Sequence, residues 1–213
     1  MAHGYARKQT KGEELANAIS HGVGALLALT GAVLLTLRGA RSGSGLTTAS
    51  LATYGFSLVL LYTASAVYHT VRNEKWKAIW RVMDHCSIYL LILGTYIPMS
   101  LLVIGGRMGW LLFLTNTALA TLGITLTAID LKRFDKVSLV LYALMGWLVV
   151  VALRTVLVAL SPVAAALLVG GGVSYTVGIL FYRSRHRYMH FVWHLFVLMG
   201  SVLQYLCIAM SCL

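Results

Sequence analysis

Charge is scarce in this chain. Only 11% of its 213 residues are Asp, Glu, Lys or Arg, and just six are acidic; a soluble domain carries about 25% charged residues. No loop between its apolar runs is long enough to form a soluble domain, so any chemistry must sit among helices or at their ends. Cysteine is also sparse: Cys86, Cys207 and Cys212 fall in apolar segments and form no CxxC pair. That excludes a disulfide framework and leaves inert buried thiols. A cleavable leader is not expected. Residues 1–14 are polar and mixed in charge, and the following run of about 23 residues exceeds an ordinary signal-peptide core.

What the chain has in abundance is apolar length. Hydrophobic residues make up 59% of it. Seven runs, at about 15–37, 46–71, 82–103, 109–129, 137–158, 162–182 and 189–212, each approach the ~20 residues that span a bilayer. In lipid the backbone must satisfy its own hydrogen bonds, so these runs are read as helices. The expected fold is all-α: one seven-transmembrane helix bundle over residues 1–213, with no internal repeat. Ser161-Pro162 marks a helix start, and Pro98 a kink. Gly22, Gly24, Gly31 and Gly170 to Gly172 suit close helix packing.

The net charge of +11 does not point to nucleic acid, because the basic residues lie in short loops. Arg7, Lys8 and Lys11, then Arg72, Lys75, Lys77 and Arg81, then Lys132, Arg133 and Lys136, then Arg183, Arg185 and Arg187 fall on one side. Only Arg38, Arg41, Arg107 and Arg154 fall on the other. The positive-inside rule therefore predicts a cytoplasmic N-terminus and an outer C-terminus, in a multi-pass protein of the plasma (inner) membrane.

With that topology the unusual intramembrane residues converge. Glu14, Asn17 and His21 open span 1, Ser65 and His69 close span 2, Asp84 and His85 open span 3, and His190 and His194 open span 7. Five of the seven histidines thus share one membrane level; His3 and His186 lie in polar segments. The pair in HFVWH is spaced i, i+4, on one helix face. Charged and imidazole groups in a bilayer usually carry function.

His69, His190 and His194 supply three imidazoles, and three protein nitrogens with an open position is the pattern of a catalytic zinc. Water in that position loses its proton near neutrality, and Asp84 can orient or deprotonate it. Ser65 lies one turn deeper than His69 and can hydrogen-bond water or a substrate carbonyl. Asp84 and Ser65 can instead orient the ligands. Glu14, Asn17 and His21 share one face and serve either as support to the site or as a polar network locking span 1. His85 points about 100° away from Asp84 and can face another helix. Glu13, Asp130 and Asp135 are expected to be solvated.

The three motifs together, EELANAISH, SAVYH followed by Asp84, and HFVWH, resemble those of the bacterial hemolysin III proteins, within the progestin and adipoQ receptor family. The resemblance covers nearly the whole chain. It implies a seven-helix bundle with a cytoplasmic N-terminus, and zinc held by His69, His190 and His194 with Asp84 and Ser65 beside it. It also implies hydrolysis of a membrane-lipid amide or ester in lipid homeostasis, with the lipid as substrate; with so little sequence outside the spans, no protein partner is evident. Two other readings stay open. One is a pore-forming, cytolytic protein, against which the clustering of polar groups at one end argues. The other is a sensor of membrane state with a structural zinc.

Overall fold

The computed structural model describes residues 9–212. His3, Arg7 and Lys8 lie outside the described residues. Among the described residues every regular element is helical. Helix α1 (Lys11–Arg41) starts at a capping box: Thr10 Oγ1 accepts the Glu13 N–H, and the Glu13 carboxylate accepts the Thr10 N–H. Helix α2 is Gly45–Thr70 and α3 is Glu74–Pro98. At Pro98, where a kink was expected, the α-helix gives way to a π-helical turn, Met99–Ile104. Helix α4 is Gly106–Trp147, followed by a 3-10 turn, Leu148–Ala152, and a short α5, Leu153–Ala159. Helix α6 is Pro162–Tyr182, capped by the Ser161 hydroxyl as expected, and α7 is Met189–Ser211.

Six helical stretches, rather than the expected seven, are long and apolar enough to cross a membrane. The difference lies between Gly106 and Ala159, which form a single stretch because helix resumes at once after its break. The break is Asp130, with extended backbone (φ −157°, ψ 91°), whose carboxylate caps the resumed helix by accepting the Lys132 and Arg133 N–H groups. The chain turns back there. Thr127 and Ser138 hydroxyls lie 3.2 Å apart, and Asn116 Nδ2 donates to the Met145 carbonyl at 3.4 Å. A straight helix would separate those pairs by ~16 Å and ~43 Å. Runs 109–129 and 137–158 are therefore two arms folded against each other.

The polarity of the bundle is that of a lipid-facing protein. Leu26, Leu34, Leu122, Val158, Leu180 and Met199 are exposed, while Asn17, His21, Ser65, Asp84, His194 and Gln204 are buried. Helices α1, α2 and α7 pack side by side, with α3 against α2 and α6 against α7. Since α1, α3 and α7 start where α2 ends, one end of the bundle collects every polar motif of the spans.

Candidate metal centre

One ring nitrogen from each of His69, His190 and His194 lies within 4.8 Å of the others. His69 comes from the last turn of α2, while His190 and His194 occupy successive turns at the start of α7. Zinc–nitrogen bonds of ~2.0–2.1 Å place tetrahedral ligand atoms some 3.4 Å apart, so a small inward rotation closes the set. All three Nε2 atoms are buried and have no hydrogen-bond partner. Such groups are costly to leave unmet.

The opposite ring nitrogens explain why Nε2 is the free one. His69 Nδ1 donates to Glu14 Oε2 at 2.7 Å, and Glu14 Oε1 accepts from Lys77 Nζ at 2.9 Å. His194 Nδ1 donates to Ser20 Oγ at 3.2 Å, whose own hydroxyl donates to the Asn17 carbonyl at 2.9 Å. With the proton on Nδ1, each Nε2 carries a lone pair. Outer partners of this kind orient metal-binding histidines. The donor set thus fits a metal with a preference for imidazole.

The other expected site residues divide. Glu14 orients His69. Asn17 Nδ2 lies 3.5 Å from His69 Nδ1 and bonds Gln9 Oε1. His21 has no hydrogen-bond partner on either ring nitrogen; it stacks on His194 with centroids 3.5 Å apart and planes 10° apart, and meets the edge of Tyr62. His21 thus meets the cluster through ring packing, and its near-parallel ring cannot share a metal with His194. Ser65 is buried with its hydroxyl unpartnered. Asp84 is buried, with Oδ2 3.7 Å from His85 Nδ1, which itself bonds the Arg81 carbonyl. Neither Ser65 nor Asp84 makes a hydrogen bond to the three histidines, so the orienting role falls to Glu14 and Ser20.

Two residues escaped the sequence reading. Ser20 follows Asn17 by three positions, a helical spacing that could have flagged it. Glu13 is not solvated: it is 3% exposed, and its Oε1 accepts the Tyr188 N–H at 2.9 Å. Tyr188 caps α7 with a left-handed backbone (φ 61°), a conformation that costs about 1–2 kcal/mol for a residue other than glycine. Glu13 thereby ties the start of α7, two residues from His190, to α1. Asp130 is exposed, as expected, whereas Asp135 is half-buried and accepts the Tyr182 hydroxyl at 3.3 Å.

A cavity of about 180 Å³ opens beside the histidines. Asp84, His85, His21 and His190 line its near end; Met99, Ile104, Val149 and Leu168 line its far end. Its wall is mostly apolar, with Tyr142, Tyr175 and Trp193 between.

The chain is 38% identical over 201 residues to the hemolysin-3 homolog of Bacillus subtilis (strain 168), covering 94% of each chain. It is 36% identical over 197 residues to Bacillus cereus hemolysin-3, covering 92% of this chain and 90% of the relative. Human monocyte to macrophage differentiation factor is 28% identical over 168 residues, 71% of this chain and 66% of the relative. No solved structure matches. The profile of the family described as Haemolysin-III related matches residues 9–205, and the chain belongs to that family.

Proposed function

We propose that this protein is a zinc-dependent hydrolase of a membrane-lipid amide or ester, acting in lipid homeostasis as part of the wider progestin and adipoQ receptor group. The observation that carries the reading is the set of three buried Nε2 atoms without partners, two of them on rings already held through Nδ1. His69, His190 and His194 would hold the metal. When bound, the ion supplies a Lewis acid for the carbonyl and lowers the proton affinity of the attacking water. Asp84, buried and lining the same cavity as His190, takes the proton that water loses and returns it to the leaving nitrogen or oxygen as the acyl bond breaks. The Ser65 hydroxyl, buried beside Asp84, donates to the substrate carbonyl. The acyl chain lies in the apolar cavity, reached sideways from the bilayer where α6 and the second arm of α4 pack sparsely.

In the same reading each arm around Asp130 crosses the bilayer separately, making seven crossings. The N-terminus and the metal site lie on the cytoplasmic side of the plasma membrane and the C-terminus outside. The basic-residue asymmetry supports this orientation.

The test is metal analysis of the purified protein beside a His190→Ala/His194→Ala variant, followed by assay on a panel of lipid amides and esters. Stoichiometric zinc in the wild type alone, with turnover lost in the variant and in Asp84→Asn, is the expected result. Zinc retained without turnover on any lipid would sink the hydrolase reading. A collapse of thermal stability on metal removal would then assign the ion a structural role.

A further inference from the structure

The cavity ends on a polar group that the proposed chemistry does not use. Gln204, on α7, lines its far end and is only 6% exposed. Its Nε2 donates to the Leu168 carbonyl of α6 at 3.0 Å, while its Oε1 is buried with no partner. Turning the amide over would set Oε1 against the Leu168 carbonyl, two acceptors facing each other, so Oε1 is the group left free. Gly171 permits this fit: a Cβ there would come within 2.6 Å of Gln204 Nε2. The amide is therefore pinned, and its remaining function is to accept a hydrogen bond at the end of a mostly apolar passage.

The length of that passage is set by the helices around it. Asp84 and Met99 on α3, Leu168 and Tyr182 on α6, and His190 and Gln204 on α7 all line it. Each pair is separated by 14 or 15 residues, or ~21 Å at 1.5 Å per residue. His194 stands ~15 Å from Gln204 on the same measure. An extended hydrocarbon with ~1.5 Å bonds and near-tetrahedral angles advances about 1.25 Å per carbon. The separation between histidines and Gln204 thus corresponds to about 12 to 16 carbons.

We propose that Gln204 is a specificity-determining residue that accepts a hydrogen bond from a hydroxyl carried 12 to 16 carbons along an acyl chain, so that the site prefers hydroxylated lipid chains. The proposal rests on the reading that this cavity holds the acyl chain of the substrate. A hydroxyl elsewhere on the chain would lie against apolar side chains such as Leu91, Ile92 and Val197, or against the wall hydroxyls of Thr95, Tyr96, Tyr142, Tyr175 and Thr176, which already bond protein groups. An unmodified chain would leave Oε1 unmet.

The experiment measures binding, not turnover. Full-length protein in lipid nanodiscs is titrated with palmitoyl ethanolamide and with its 12-, 14- and 16-hydroxy analogues, and the series is repeated on Gln204→Met. Methionine keeps the chain length and apolar volume of glutamine but offers no oxygen. One hydroxylated analogue is expected to bind wild type about tenfold tighter than the plain amide, the worth of one buried hydrogen bond. Gln204→Met should bind plain and hydroxylated chains alike, with wild-type metal content as the control for folding. If wild type binds the plain amide and no hydroxyl position improves it, water satisfies Oε1 and the proposal fails. It fails equally if the preference survives in Gln204→Met. Failure of every amide to bind would overturn it too, by removing the lipid-cavity reading itself, a pattern distinct from the other two. The wild-type series decides the matter even should the variant not fold.

Discussion

The two sides of this bundle are built to different rules. Where α1, α2 and the start of α7 meet, packing is close and polar. Glu14 and Ser20 hold the rings of His69 and His194, Lys77 holds Glu14, and Glu13 holds the first residues of α7. A Cβ on Gly24 would press within 2.7 Å of the Tyr62 ring. Where the second arm of α4 faces α3, α6 and α7, the walls stand apart and leave the 180 Å³ cavity. A metal needs ligand atoms fixed to within a fraction of an ångström, which hydrogen-bonded, close-packed rings provide. A flexible hydrocarbon needs room and apolar walls, and only a loosely packed side can supply both.

That contrast can be broken at four points. The largest effect is expected from His190→Ala/His194→Ala, which removes two of three nitrogens; metal analysis should show no ion retained. Next is Glu14→Ala, which frees the His69 ring without touching a ligand. Chelator competition should show metal affinity falling about 10- to 100-fold, with Ser20→Ala lowering it less because a hydroxyl is a weaker acceptor than a carboxylate. On the other side, Leu168→Trp fills the far end of the cavity. Lipid binding should drop about tenfold, since each displaced methylene forfeits about 0.8 kcal/mol, while metal content stays unchanged. If metal content falls as well, the two sides are not independent. The smallest effect is a matched pair in α1. Gly24→Ala should cost about 1–3 kcal/mol in thermal unfolding through overpacking. Gly22→Ala, with nothing within 4 Å of the added carbon, should cost nothing and stabilise by up to about 1 kcal/mol through helix propensity.

Much of the site was legible in residue spacing. Glu14, Asn17 and His21 share a helix face, and all three come near histidines of the cluster, Glu14 and Asn17 against His69 and His21 against His194. The spacing did not tell which of them would bond. Glu14 does, while His21 stacks, because ring orientation depends on what α7 presents and not on the period of α1. Ser20 stayed hidden because a lone helical serine commonly bonds its own backbone, and its partner His194 lies 174 positions away. Glu13 was misread since a first-turn acid looks the same in sequence whether or not a distant loop lands on it. The seven expected runs became six helical stretches because a single extended residue, Asp130, turns the chain without a loop.

Composition and apolar run length by themselves determined an all-helical membrane chain with its histidines gathered at one end. Those are consequences of local backbone satisfaction in lipid and of alternating helix direction, and neither depends on detailed packing. Only the tertiary structure decided which ring nitrogen is free, where the bundle stays open, and that Gln204 faces the end of the opening. Each of these depends on side chains from helices far apart in sequence meeting at hydrogen-bond distance, and no local pattern encodes such a meeting.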